Sequence, residues 1–367
     1  MDVTRVLLLG AYGTAGMAIA RYLLQETTDC RLVLAGRRAA KLAKAHGALA
    51  SAFPDNPPEV LAVDLADASS LTAAFLNADF VINAASAIEH TEKVIQALLA
   101  SGVAYLDTQL SLPEKTGLLR TFAQALREKG VVCITDGGFH PGVPAALVRY
   151  AGQQLDRLTE AQVYSALRID WAALSPSPST QAEMMAEFRA FRPMLFRRGR
   201  WQRFLPLLPY RRDFGEPFGR QSMTPMHLEE MEGLPEKFSS LQDTGFWING
   251  FNPVLDYFLL PLITVGLFLS PRSWQSFWYR LFHWGLRFSR PPFPGVRLDL
   301  EARNAERSIH LRLFHPDAYA MTSIPVVACF LQWKAGLIRE PGLHYQALVV
   351  EPTRFLEDMG RMGVEVR

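Results

Sequence analysis

Along the first 150 residues, apolar positions fall into short unbroken runs separated by stretches with helical spacing. Val6 to Leu9, Arg31 to Ala35, Val60 to Asp64, Phe80 to Asn83, Ala104 to Asp107 and Val131 to Thr135 read as six strands. Continuous apolar runs of this length suit parallel strands buried on both faces. Between them, Ala15, Ala18, Ile19, Tyr22 and Leu23 recur at helical spacing, and Ala39 to Ala52, Ser69 to Leu76, His90 to Ser101, Leu118 to Lys129 and Ala145 to Gln153 read as further helices. Strands alternating with helices predict an α/β fold with a doubly wound parallel sheet.

Beyond residue 150 the pattern changes. Ala161 to Asp170 alternates as a strand, Ser175 to Ser179 reads as a turn, and Thr180 is placed to cap a helix from Gln181 to about Phe191, with Glu183 completing a capping box. Val296 to Ala302 and Ser308 to Phe314 read as strands, which predicts an inserted α+β domain with a mixed sheet over 151–321. A helix over Thr322 to Lys334, with Pro325 in its first turn, and a terminal helix over Pro352 to Met362 follow.

The turn after the first strand carries Gly10, Gly13 and Gly16. With a strand before, a helix after and a second strand at βαβ spacing, this is the phosphate-binding turn of a Rossmann-type sheet. Gly10 permits the tight turn, Gly13 the close approach of phosphate and Gly16 the packing of helix on strand; Tyr12, Thr14 and Ala15 share the turn. The second strand ends Ala35-Gly36-Arg37-Arg38, without the carboxylate that would bind a ribose 2′-hydroxyl. Guanidinium groups suit a 2′-phosphate, so the expected cofactor is NADP(H), held by Arg37 first and Arg38 second. The competing reading is a solvated basic helix start, since Lys41 and Lys44 follow. Residues 1–150 then form the dinucleotide-binding domain, completed by the returning segment 322–367.

Further candidates sit at predicted strand ends. Asp64 ends the third strand, where a carboxylate meets adenine or organises a loop. Asn83-Ala84-Ala85-Ser86 ends the fourth, leaving room for a ribose or nicotinamide, and Tyr105, Asp107, Thr108 and Gln109 cluster at the fifth. Asp136 to Pro144, with two prolines and three glycines, forms a stiff loop after the sixth strand and brings Gly138 and His140 to the cofactor edge. His140 acts either as a general acid or as a hydrogen-bonding fastener of the turn. Asp136 reads as a loop organiser or helix-capping group.

Composition narrows the classes. A net charge of +2 over 367 residues gives no argument for nucleic acid. Cys30, Cys133 and Cys329 are odd in number, far apart and in no C-x-x-C arrangement, which suggests buried thiols in a reducing cytoplasm and no metal site. Met1 leads directly into the first strand, where a signal peptide is not expected. No tyrosine has a lysine four residues on, so the short-chain dehydrogenase pair is absent.

With these residues in view, the sequence resembles the saccharopine dehydrogenase-like family of NADP-dependent oxidoreductases. The resemblance rests on the opening G-x-x-G-x-x-G, Ala-Gly-Arg at 35–37, Val-Asp at 63–64, Tyr-Leu-Asp-Thr at 105–108 and Gly138-Phe-His-Pro-Gly142. It is dense over residues 5 to 150, returns near Thr322 to Gly336 and is thin between. Relatives include saccharopine reductases, carboxynorspermidine dehydrogenases and trans-acting enoyl reductases. The resemblance implies hydride transfer from NADPH and a C-terminal helix returning to the dinucleotide domain.

All seven tryptophans, Trp171 first, lie after residue 150. Arg189, Arg192, Arg197, Arg198, Arg200, Arg203, Arg211 and Arg212 interleave with Phe196, Trp201, Phe204, Leu205, Leu207, Leu208 and Tyr210. Such a segment grips an anionic, apolar-tailed ligand, lies at a membrane surface, or packs on its own domain. Tyr257 to Ser270 is too short to span a bilayer, is interrupted by Pro261, and fits a pocket wall, a homodimer interface or a peripheral membrane contact on the cytoplasmic face. The expected activity is reduction of a C=C, C=O or C=N bond in a hydrophobic, lipid-type small molecule. The alternatives are an amino-acid imine reductase and a non-catalytic NADP(H) sensor.

Overall fold

The computed structural model describes residues 3–170, 177–204, 210–288 and 295–367. The chain divides into two units, Met1–Ala146 with Tyr319–Met362, and Leu147–Ala318 with Gly363–Arg367.

In chain order the first stretch contains β1 (Thr4–Leu9), α1 (Thr14–Glu26), β2 (Cys30–Gly36), α2 (Ala39–Ala52), β3 (Glu59–Ala62), α3 (Ala68–Leu76), β4 (Phe80–Asn83), α4 (Thr91–Ser101) and β5 (Ala104–Asp107). Then come α5 (Pro113–Thr121), α6 (Ala123–Glu128), β6 (Val132–Thr135) and α7 (Pro144–Gln154). The second stretch has β7 (Glu160–Arg168), α8 (Pro178–Ala190), β8 (Met194–Arg197), β9 (Arg200–Arg203), β10 (Tyr210–Asp213) and β11 (Arg220–Met226). It continues with α9 (Leu234–Lys237), β12 (Asp243–Asn249), α10 (Leu260–Leu269), α11 (Gln275–Leu286), β13 (Gly295–Arg303) and β14 (Ser308–His315). The chain ends with α12 (Ala318–Lys334), β15 (Gly342–Tyr345), α13 (Gln346–Val349), α14 (Pro352–Arg361) and β16 (Glu365–Val366).

The first unit is built on a seven-stranded parallel sheet in the order β15-β6-β5-β4-β1-β2-β3. Its central strands are apolar on both faces: Leu7, Leu8, Leu34, Val81 and Ile82 are all buried. α12 packs in the same unit, where Phe80 meets Phe330 at 5.2 Å and Trp333 at 4.5 Å between ring centroids. The second unit carries a nine-stranded sheet whose main path is β10-β11-β12-β7-β13-β14-β16, with β8 on β12 and β9 on β8. Among the described residues of this sheet only β12 and β7 run parallel, so the sheet is mixed. The fold is a Rossmann-type sheet with an inserted α+β domain. Among the described residues no helix is long and apolar enough to cross a membrane.

Several local expectations are corrected. The single helix over 118–129 is two, because Pro113 starts α5 with its fixed φ and the first helix stops at Phe122. α8 is capped by Ser177, whose Oγ accepts the Thr180 N–H at 3.2 Å, and Pro178 occupies the first turn. Pro325 lies inside α12, which begins four residues before Thr322. That helix is buried nearly all round, so no polar stripe marks its start. β3 stops at Ala62, leaving Asp64 in the following turn. The seventh strand, β15, was not anticipated. Trp171, Leu205, Leu207, Leu208 and part of the turn at 175–179 lie outside the described residues.

Candidate cofactor site

Strand order reverses between β1 and β4, and there Gly10 meets the loop after β4. Gly10 has a φ of +73°, and a Cβ on it would lie 2.7 Å from the Ala85 nitrogen and 2.8 Å from the Ala84 carbonyl. Gly13 is the N-cap of α1 and donates its N–H to the Gly10 carbonyl at 2.9 Å. Gly16 is pressed onto the same turn: its Cβ would stand 2.3 Å from the Gly10 oxygen. No side chain caps α1, and no acid lies in its first turn. The amides of Thr14, Ala15 and Gly16 therefore present the positive end of the helix dipole without a competing anion.

Tyr12 leans over the end of β2. Its ring fills the space beside Gly36, where a Cβ would come within 2.6 Å, and Lys41 Nζ lies 5.6 Å from the ring centroid. Arg37 and Arg38 are exposed next to it. Among the described residues neither side chain has a hydrogen-bond or ion-pair partner. A glycine cradle with no room for a Cβ, an uncapped helix start and two uncommitted guanidinium groups together fit a dinucleotide carrying a 2′-phosphate. Lys41 is the cation whose placement sequence reasoning missed, because it reads as a solvated helix position.

The remaining candidates divide by burial. Asp64 is exposed, and its Oδ1 accepts the Ala66 N–H at 3.0 Å, which closes its own turn. Asn83 is buried, with Nδ2 donating to the Tyr105 hydroxyl at 2.9 Å and Oδ1 accepting the Ala85 N–H at 3.1 Å. Its carbonyl also accepts the Thr108 N–H at 3.0 Å. Asn83 thus shapes the loop instead of facing outward. Ala84, Ala85, Ser86 and Thr108 remain partly accessible. Gln109 Nε2 donates to the Ala85 carbonyl at 2.9 Å, fixing that loop from the other side.

The loop after β6 is wound tightly. Asp136 has a φ of +58°, Gly138 of +141° and Gly142 of +121°; a Cβ on Gly142 would meet the Gly138 oxygen at 2.4 Å. Gln346 Nε2 donates to the carbonyls of both Gly138 and Gly142 at 3.1 Å. His140 is partly buried on this loop, and burial holds its imidazole down to about 3, so the ring is neutral at physiological pH.

The saccharopine dehydrogenase NADP binding domain family matches residues 6–134, the stretch that holds this cradle. The apo saccharopine dehydrogenase (L-Glu forming) of Saccharomyces cerevisiae has the same fold, with 13% identity, 99% of each chain covered and a TM-score of 0.65. Residues 6–134 therefore form an NADP-binding domain of the saccharopine dehydrogenase type. A dehydrogenase from Chromobacterium violaceum is also similar, at 11% identity over 99% of this chain and 94% of that one, with a TM-score of 0.45. No protein of curated function matches the sequence.

Within this saccharopine dehydrogenase-like frame lies one cluster that sequence reasoning missed. Lys115 is fully buried, and its Nζ donates to Asp107 Oδ1 at 3.0 Å, the Gln109 carbonyl at 2.6 Å, Thr135 Oγ1 at 2.8 Å and Asp136 Oδ1 at 3.3 Å. Burial alone would depress the ammonium pKa, but the two carboxylates overcome it and raise it. Asp136, which also accepts from Ser111 Oγ, is raised by burial against the pull of Lys115. The cluster fastens the ends of β5 and β6, from which the candidate loops spring.

Proposed function

We propose that the protein is an NADPH-dependent reductase that delivers hydride to a C=C, C=O or C=N bond of a hydrophobic, lipid-type substrate. The observation that carries the cofactor half is the pair of uncommitted guanidinium groups, Arg37 and Arg38, at the end of β2 beside the uncapped start of α1. In this reading the amides of Thr14, Ala15 and Gly16 hold the pyrophosphate over the close-packed turn that Gly10 and Gly13 make possible, Tyr12 and Arg37 hold the adenosine phosphate with Arg38 beside them, and the 84–86 loop with Thr108 lines the nicotinamide side. Asp64 stands toward the adenine, and Gly138 bounds the site across the β6 loop. Bound NADPH supplies the hydride; the chain's own part is to hold and orient the acceptor. We assign His140 a neutral imidazole, a group that polarises an acceptor by hydrogen bonding, with solvent water supplying the proton that completes the reduction.

The substrate half rests on the second unit, where Tyr164, Trp247, Phe214 and Phe218 cluster with Leu195 and Met223. The rival substrate, an imine bearing carboxylates, would need free arginines there. The three guanidinium groups against that cluster are committed: Arg297 binds Asp299 at 2.7 Å, Arg212 binds Glu301 at 2.7 Å while stacking over Tyr164 at 3.9 Å, and Arg197 pairs with Asp243 at 3.8 Å beside the Phe204 ring. This favours an apolar ligand. We place the protein in the cytoplasm, where its three free, buried cysteines stay reduced.

The test is transfer of deuterium from nicotinamide-labelled NADPH, run separately against lipid and polar extracts and read by mass spectrometry. Label in an apolar product supports the proposal and identifies the bond. Label confined to an amino-acid-like product replaces it with imine reduction. Bound NADPH with label in neither extract favours the sensor.

A further inference from the structure

α10 is apolar on every side yet stands at the surface of the second unit. Its inward side, with the π-helical turn before it, buries Leu255, Ile263 and Leu267 against Met185, Tyr279 and Phe282. Its outward side is no more polar: Phe258, Phe268 and Leu269 are 72%, 81% and 76% exposed. A helix hydrophobic all round belongs in a core or in lipid, and an exposed patch of this kind marks a surface that something else covers. Trp274, Phe277, Trp284 and Phe288, on and beside α11, extend the patch.

Charge identifies the cover. From Val254 to Phe288 the formally charged residues are Asp256, Arg272, Arg280 and Arg287. Asp256 turns inward, its Oδ1 accepting the Phe251 N–H at 2.9 Å, while the three arginines are exposed. A second copy of this face would set arginines against arginines with no exposed acid in the segment to answer them. Anionic headgroups answer them directly, and tryptophan beside arginine is the composition of a membrane interface. We propose that α10 and α11 form a monotopic hairpin that lies in the headgroup boundary of an anionic bilayer. Phe258, Phe268 and Leu269 enter the acyl region, Trp274 and Trp284 sit at the headgroup level, and the arginines bind phosphates. α10 has 10 residues, far too few to span, so the hairpin lies in the plane of the surface.

The experiment is flotation of the full chain with phosphatidylcholine vesicles with and without phosphatidylglycerol, beside sedimentation of the lipid-free protein. The wild type should float with the anionic vesicles. Phe258→Asp with Phe268→Asp, at exposed positions, should keep the circular dichroism spectrum and NADPH binding yet lose vesicle affinity by about tenfold or more per residue. Replacing Arg272, Arg280 and Arg287 by Gln should cost about fivefold per arginine on anionic vesicles and little on neutral ones. Brominated lipids should quench tryptophan fluorescence less when Trp274 and Trp284 are changed to Phe. Absence of flotation, flotation that survives the double Phe substitution, or a lipid-free dimer that the same substitution dissociates would each overturn the proposal.

Discussion

Lys115 Nζ lies 3.0 Å from Asp107 Oδ1 with both side chains closed to solvent, and the pair anchors the strand ends beneath the candidate cofactor loops. A buried ion pair of this kind adds little when intact but costs much when half of it is removed. Lys115→Met would strand the carboxylates of Asp107 and Asp136 without their shared cation. The expected loss is about 3–5 kcal/mol of unfolding free energy, read by urea denaturation. A loss below about 1 kcal/mol would mean that the carboxylates are held protonated without the lysine.

The glycine turn makes a second prediction with a built-in control. Gly16→Ala drives a methyl group to 2.3 Å from the Gly10 carbonyl oxygen, so α1 must shift off the turn. Overpacking of this type costs about 1–3 kcal/mol, and the shift should also weaken NADPH binding. Gly47→Ala, in the middle of α2 with nothing within 4 Å, should instead stabilise the protein by about 0.5–1 kcal/mol and leave NADPH binding alone. Thermal unfolding and fluorescence titration of both variants separate steric conflict from a general intolerance of change.

What the sequence discloses depends on whether the signal is local. β4 and β5 match their expected ranges because Phe80-Val-Ile-Asn and Ala104-Tyr-Leu-Asp are runs that only a buried strand needs. β15 hid because Gly342-Leu-His-Tyr alternates weakly and takes its strand form from pairing with β6. Lys115 hid for a different reason: in Leu-Pro-Glu-Lys it reads as an exposed helix start, and its four partners come from two other segments, the ends of β5 and β6. The Arg-rich stretch was visible as composition. The commitment of Arg212 to Glu301, eighty-nine residues on, was not.

Arg37 tests the cofactor preference by a change of sign. It is exposed and, among the described residues, uncommitted, so Arg37→Asp should leave stability nearly unchanged. A carboxylate there repels a 2′-phosphate and accepts from a 2′-hydroxyl. NADPH affinity should fall by about tenfold or more, while NADH affinity holds or rises; both are read by nicotinamide fluorescence. Equal losses for the two cofactors would remove Arg37 from the phosphate site.

His140 adds an acid-side pH dependence to stability. Burial lowers its imidazole from the usual 6.5 to about 3, so between those values the unfolded chain binds a proton that the folded protein does not. This group's contribution to stability is therefore constant above pH 6.5 and is lost progressively as pH falls from there toward about 3. Replacing His140 by Gln should make the acid-side decline in stability shallower without altering the plateau above pH 7. In the folded protein the His140 ring resonances should stay at their neutral positions from pH 8 down to pH 5. A turnover profile should accordingly show no limb near 6.5 that disappears in His140→Gln. A ring that titrates near 6.5 would remove the neutral imidazole from the proposed chemistry and restore an imidazolium able to deliver the proton itself.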